Sequence, residues 1–456
     1  MNSPREKPTF KIRNIRAFIA FRVFFNARFY YPVFTILFLD LGMSLEQFAL
    51  LNVVWALSIV ILEVPSGALA DVVGRRNLLV FAGIAMVIEI GLLCSAPMNN
   101  TALLFAVLLI NRILGGAAEA AASGADEAIA YDSLSEEGDP EEWGSVIEKE
   151  MRYKSIAFIV ALSSGAAVYD PAFMNRVSNW LGFNPGLTQD ITVRFPLYLT
   201  QITAVMALIS ALAMKEPPGI QTDRCTDFIT CRGSVSKAFK LTLQAAGWIF
   251  RTPYALVIIL FAMVFDHIIR MVITLNSQYF RLIDLPEALF GLIGTAFSFL
   301  GIFIPKIAKR LAENHSPPAN LAVTALSAMT GLFGMSLFIP LYGLLFVLIL
   351  YTAFALTHFF VSFYLNRITD SGQRATVLSI KGMMLNGAYG IIGILYSLLI
   401  ALQRSKLAIN SPELHGEHLE NTVFMEAFKW FPWYFIFLML LFLMFSSRKL
   451  RKASLY

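Results

Sequence analysis

The run Glu63-Val-Pro-Ser-Gly67-Ala-Leu-Ala-Asp71-Val-Val-Gly74-Arg75-Arg76 joins the end of one apolar stretch to the start of the next. Its residue types predict a tight turn at the edge of a bilayer. Gly67 and Gly74 permit close backbone approach and a turn with no room for a side chain. Asp71 ends a helix where its carboxylate can face the positive N-terminus of a neighbouring helix. Arg75 and Arg76 stand where the chain leaves the hydrocarbon, and paired arginines there mark that side as cytoplasmic.

Composition supplies the bilayer. The 456 residues are 57% hydrophobic and only 15% charged, with a mean hydropathy of +0.65. Soluble domains carry about a quarter charged residues, so this is a polytopic membrane protein. A net charge of +5 and a pI near 9.0 would suggest a nucleic-acid partner in a soluble chain. Here the basic residues cluster in short loops, as the positive-inside rule requires, and nucleic-acid binding is not indicated. Cys94, Cys225 and Cys231 form neither a disulfide framework nor a metal site, and no cofactor is expected. Residues 1–11 lack the apolar core and cleavage site of a signal peptide, which predicts that the first span is retained.

A helix needs about 20 mostly apolar residues to cross the hydrocarbon. Twelve such stretches are legible, near 15–39, 46–70, 77–96, 102–122, 153–170, 191–214, 252–279, 287–307, 319–338, 341–364, 375–402 and 427–446. The fifth follows the acidic stretch 136–150 and can begin inside it. Lys7, Lys11, Arg13, Arg75, Arg76, Lys306, Lys309, Arg310, Arg367, Arg374 and the basic tail Arg448, Lys449, Arg451, Lys452 all fall on one side. The other side holds Arg176, Arg281, Arg404 and Lys406. Both termini are therefore expected in the cytoplasm.

Between the sixth and seventh spans lies a polar linker, and residues 236–250 within it are amphipathic enough to lie along the interface. The expected organisation is an N-terminal six-helix bundle over 1–214, a linker with an interfacial helix over 215–250, and a C-terminal six-helix bundle over 251–456.

The pattern Gly67-x-x-x-Asp71-x-x-Gly74-Arg75-Arg76 resembles the signature of the major facilitator superfamily, which lies between its second and third membrane helices. The resemblance implies an all-α membrane protein of twelve transmembrane helices in two six-helix bundles, with a substrate site near the midplane between them. One departure stands out: the family usually has a basic residue after the aspartate, and here it is Val72, so fewer ion pairs are expected at the gate. The second half carries only a blurred echo, Gly301-Ile-Phe-Ile-Pro305-Lys306-Ile-Ala-Lys309-Arg310. Glu63 to Gly67, Ser123-Gly-Ala-Asp-Glu-Ala128 and Tyr131-Asp-Ser-Leu134 are similar to uncharacterised bacterial members of the family.

Ionisable residues inside a membrane are costly, so each is a candidate for function or for pairing. In the fourth span Arg112, Glu119 and Asp126 recur every seven residues and share a helix face. Gly115 and Gly116 let another helix come close. Arg112 with Gly116 resembles the family's fourth-helix Arg-x-x-x-Gly motif, which implies proton coupling. Two readings stand for Glu119: a carboxyl that loads and releases a proton, or a fixed ion pair with Arg112 or another helix. Asp126 belongs, by resemblance, to the cytoplasmic gate with Gly67, Asp71, Gly74, Arg75 and Arg76.

In the first span, Asn26 and Arg28 either contact substrate or, for Arg28, pair with Glu63 or Glu89. Glu63, two residues before Pro65, reads more readily as a local helix-stabilising acceptor. In the seventh span, Asp266 and Arg270 are four apart and can pair on one face, either opening to a charged solute or persisting. His267 points away and reads as a packing residue. His358 and Asn386 complete the expected cavity, and Lys381 can reach the cytoplasmic surface instead.

The balance of Arg28, Arg112, Arg270 and Lys381 against Glu119, Asp266 and Glu89, with 39 Phe and 15 Tyr, suits an anionic or amphipathic organic solute. No His-Glu-x-x-His helix, Gly-x-Ser-x-Gly elbow or phosphate loop is present, so catalysis finds no support. The expectation is a monomeric, secondary active, proton-coupled transporter in the cell (inner) membrane, with small-molecule substrate, protons and bilayer as partners, and export ahead of import. A passive channel or membrane sensor is the competing class. The drug-efflux branch's fifth-helix Gly-Pro has no counterpart in Ser163-Ser-Gly165-Ala-Ala-Val-Tyr169-Asp170-Pro171, where the proline comes late.

Overall fold

The computed structural model describes residues 8–98, 100–216, 243, 246–368 and 371–453. Cys225, Cys231 and most of the expected linker lie outside the described residues, as do the side chains of Gly67, Asp71, Val72 and Arg374.

The first half contains α1 (Arg13–Asn26), α2 (Phe34–Asp40), α3 (Leu45–Val73), α4 (Arg75–Cys94), α5 (Thr101–Ala122), α6 (Ala125–Glu137), α7 (Trp143–Tyr169), α8 (Pro171–Trp180), α9 (Gln189–Thr192) and α10 (Phe195–Ala213). The second contains α11 (Pro253–Thr274), α12 (Asn276–Leu282), α13 (Phe290–Asn314), α14 (Pro317–Met335), α15 (Gly343–Ile368), α16 (Ser371–Asn410), α17 (Gly416–Phe428) and α18 (Trp430–Ala453). Helices occupy all twelve expected positions. Among the described residues eight are long and apolar enough to cross a membrane, or nine when the pair Pro140–Tyr169 and Pro171–Trp180, bent by 86°, counts as one span.

Several helices depart from the simple pattern, and each departure has a local cause. The expected span 15–39 is broken: α1 stops at Asn26, Ala27 leaves helical geometry, and a short 3-10 turn at Tyr31–Val33 precedes α2. The freed backbone groups are met by α10, where Thr203 Oγ1 donates to the Ala27 carbonyl at 2.9 Å and Phe29 N–H donates to Thr200 Oγ1 at 3.0 Å. Non-helical backbone at membrane depth survives only with such partners. The fourth span kinks at Gly124, whose φ is 76°. The fifth helix begins at Trp143, inside the acidic stretch. Pro65 stays within α3, and the Ser66 hydroxyl donates to the carbonyls of Glu63 and Ala120.

The two halves meet along α3 with α16 and α7 with α13. Glycines let them close. A Cβ on Gly291 would collide with the Leu162 carbonyl of α7, and one on Gly393 of α16 would fall 2.6 Å from a Val53 methyl of α3. Within the first half, a Cβ on Gly116 would fall 2.5 Å from Ser58 Cβ of α3.

Candidate functional site

The break in the first span carries Arg28 into the interior of the N-terminal half. Its Nη1 donates to Glu89 Oε1 of α4 at 2.9 Å and to the Tyr30 hydroxyl at 3.2 Å. Its Nη2 stands 3.5 Å from Glu119 Oε1 of α5. Arg28 and Glu89 are buried, whereas the Glu119 side chain keeps 38% of its surface accessible. Gly115 makes the room: a Cβ there would lie 2.9 Å from Glu89 Oε1. Asn111 Nδ2 donates to the Glu89 carbonyl at 2.8 Å and ties α5 to α4.

Arg112 and Glu119 do not pair with each other among the described residues. The Arg112 guanidinium lies 4.8 Å from the ring centre of Phe34 and 4.6 Å from that of Phe38, and its Nε and Nη2 have no hydrogen-bond partner. Of the two expectations for Arg28, pairing with Glu89 is what forms. Asn26 donates to the Arg22 carbonyl at 2.7 Å and lines a cavity of about 370 Å³ with Tyr31, Lys154 and Phe158.

A second cluster faces this one from the C-terminal half. Arg270 Nη2 meets Asp266 Oδ2 at 2.6 Å, one helical turn away on α11. Arg270 also donates to Asn386 Oδ1 at 2.8 Å and to the Leu385 carbonyl at 2.9 Å of α16, and lies over the Tyr389 ring at 4.5 Å. His358 Nε2 of α15 is 3.3 Å from Asp266 Oδ1. His267 bonds the Met263 carbonyl and approaches the Tyr434 hydroxyl, as a packing residue does. A cavity of about 470 Å³ lies between the halves, lined by Tyr31 and Phe34 on one side and Asn276, Phe297 and Tyr351 on the other.

All described hydrogen bonds and ion pairs between the halves sit away from the termini or at mid-depth. On that far face Arg281 of α12 grips Asp40 of α2 at 2.8 and 2.9 Å, and Arg404 of α16 grips Glu46 of α3 at 2.5 Å. Ser277 Oγ accepts the N–H groups of Thr35 and Ile36 at 3.0 and 3.2 Å. Asp170 accepts from Ala288 N–H, and Ser163 meets Thr295. The far face is therefore sealed.

On the termini face the described signature residues, Arg75 and Arg76, and Asp126 with them, bond within their own half. Arg75 pairs with Asp132, and Asp126 pairs with Arg22 at 3.1 Å rather than standing with Arg75. Arg22 also meets Glu127 at 2.8 Å and Glu150 at 3.4 Å. Gly74, with φ 94°, turns the chain so that the first N–H groups of α4 face a carboxylate. That carboxylate is Glu216, which accepts from Arg75 N–H at 3.1 Å and Arg76 N–H at 2.9 Å. Arg76 Nε donates to the Met214 carbonyl at 2.7 Å. Glu216 and Asp132 escaped the sequence reading because their partners are distant in the chain.

The sequence matches the family profile of the Major Facilitator Superfamily over residues 16–394. The chain belongs to that family. Like its relatives, this major facilitator is a transporter rather than an enzyme, built for secondary transport by alternating access. Its fold is similar to that of a bacterial homologue of the human lysosomal transporter Spinster in an inward-facing, occupied conformation, with 15% identity, 97% of this chain and 98% of that chain covered, and a TM-score of 0.68. It is also similar to the nucleoside transporter NupG, with 14% identity, 96% and 99% covered and a TM-score of 0.66. A D-xylose-proton symporter aligns at 14% identity over 93% and 96% of the chains with a TM-score of 0.59. No curated protein matches the sequence.

Proposed function

We propose that this transporter moves a small organic solute, anionic or amphipathic, by proton-coupled alternating access through the cavity between its halves. In this reading both termini are cytoplasmic, the protein acts as a monomer in the cell (inner) membrane, and export is the first direction to test. The observation that carries the reading is the arrangement around Arg28. Glu89 is a buried permanent partner, while Glu119 sits farther from the same guanidinium and keeps an accessible face. Glu119 is the carboxyl free to exchange a proton with water entering from the open side, and Arg112, two turns away on the same helix, holds a second positive charge over Phe34 and Phe38. Asn26, Asp266, Arg270, His358 and Asn386 supply the polar groups that orient the solute, and Arg28 acts on it through Glu119, which it holds at 3.5 Å. Gly67, Asp71, Gly74, Arg75, Arg76 and Asp126 serve the gate on the termini face.

A second reading, import of an organic anion together with a proton, draws on the charge count. Arg28 and Arg112 balance Glu89 and Glu119 when both carboxyls are ionised. Protonating Glu119 leaves one net positive charge beside the cavity, which favours an anion.

The test uses the purified protein in proteoliposomes under an imposed pH gradient, after a melting-temperature screen of organic anions, chelates and lipophilic drugs for binders. Glu119→Gln is expected to abolish gradient-driven flux while binding persists. Undiminished flux in that variant removes Glu119 from the mechanism. Flux against the proton gradient's direction marks export, and flux along it marks import. Transport that never concentrates the solute supports the channel reading.

A further inference from the structure

The C-terminal half holds a cavity that the transport site does not use. Helices α11, α14, α15 and α18 enclose about 600 Å³ at their ends on the termini face. Its floor is apolar and buried: Phe261 is 1% exposed, Phe360 0% and Val361 4%. One wall is fixed by Asn320, whose Nδ2 donates to the Tyr364 hydroxyl at 2.8 Å and the Leu311 carbonyl at 3.0 Å.

The mouth differs from the floor. Tyr254 in the first turn of α11, His315 between α13 and α14, and Arg367 in the last turn of α15 rim it, and all three are exposed. Among the described residues no carboxylate stands within ion-pair distance of Arg367. The same face carries Lys306, Lys309, Arg310, Arg448 and Lys449, against Glu313 at 3.8 Å from Lys309. The lining residues lie within roughly two turns of their helix ends, which is the depth where headgroups give way to acyl chains.

An apolar floor at that depth calls for hydrocarbon, and a cationic mouth calls for an anion. One molecule at this level of a bilayer offers both. We propose that a phospholipid with an anionic headgroup, drawn from the surrounding leaflet, occupies this cavity. One acyl chain lies against the half-buried Ile258, Leu321 and Leu450 above the Phe261 and Phe360 floor, and the phosphate meets Arg367. Basic pockets between membrane helices recognise lipid headgroups by this combination. The surrounding positive charge selects a net-anionic headgroup over a zwitterionic one.

The experiment places the full-length protein in phosphatidylcholine nanodiscs with and without a minor fraction of phosphatidylglycerol. Melting temperature and retained lipid, the latter by native mass spectrometry, are read on the same samples. Phosphatidylglycerol is expected to raise the melting temperature and to remain bound after extraction. Arg367→Gln is expected to weaken that binding about fivefold, the contribution of one basic residue near a charged surface. Val361→Phe, which fills the cavity and leaves Arg367 in place, is expected to remove it; should that variant not fold, Arg367→Gln decides alone. Glycerol phosphate, which has the anion without the chain, is expected to have no effect. Equal stabilisation by the two lipids, or an unchanged response in Arg367→Gln, would overturn the proposal. So would stabilisation by glycerol phosphate as strong as by the lipid, since that outcome assigns the mouth to a free anion.

Discussion

The two charged clusters of this transporter are built in opposite ways. In the C-terminal half, Asp266 and Arg270 are one turn apart on an unbroken helix, so helix geometry alone brings them together. In the N-terminal half, Arg28, Glu89 and Glu119 come from three separate segments and meet only because the first span breaks at Ala27. The difference extends to solvent. Arg28 is 4% exposed at its side chain and Arg270 24%, so the pair of Arg28 and Glu89 is sealed and the pair of Arg270 and Asp266 is wetted at its arginine. A sealed pair is a structural commitment, because removing one partner strands a buried charge. A wetted pair has alternatives, and Arg270 already holds Asn386 and the Leu385 carbonyl besides its acid.

The sharpest way to break this contrast is Arg28→Gln. Glu89 is then buried without its cation, and thermal unfolding in detergent is expected to show a loss of roughly 3–5 kcal/mol. The double variant Arg28→Gln, Glu89→Gln is expected to recover more than half of it. Asp266→Asn is expected to cost less, about 1–3 kcal/mol, because Arg270 keeps its other acceptors. Equal losses for Arg28→Gln and Asp266→Asn would erase the distinction between sealed and wetted pairs.

Smaller effects test the seam that holds the clusters opposite each other. Arg281→Gln removes the grip on Asp40, whose side chain is 17% exposed against 25% for the arginine. A partly exposed pair is worth about 1 kcal/mol or less, so the sealed population should fall by no more than about fivefold. Labelling of a cysteine introduced at Phe297, in the cavity between the halves, by an impermeant thiol reagent reads that shift, and no change in labelling would show that Arg404 and Ser277 hold the far face without it. The smallest effect is expected at Arg112→Lys, which keeps the charge and loses the planar stack on Phe34 and Phe38. A change of about 0.5–1 kcal/mol follows, read from thermal unfolding.

The interior positions tell where sequence reading succeeds and stops. Asp266 with Arg270 was legible because both lie on one periodic helix. The alignment of Arg112 and Glu119 at a spacing of seven was equally legible as a shared face, yet it placed no partner. Glu119 turned to Arg28, and Arg112 turned to two phenylalanines, because the break at residues 27–33 swung α2 and Arg28 into positions that helical periodicity does not encode. Arg75 met Asp132 and Asp126 met Arg22 for a related reason: the kink at Gly124 rotates α6 relative to α5.

From composition and loop charge alone follow a polytopic membrane protein, twelve helical positions and, through the Gly67 to Arg76 run, the superfamily. Those features are local or additive: hydrocarbon demands length and apolarity, and each stretch satisfies it independently of the others. The partners of the buried charges, the sealed far face and the cavity at Arg367 arise only when helices pack. A side chain in a bilayer finds its counter-charge across space rather than along the chain, and a single break in one helix decides which counter-charge that is.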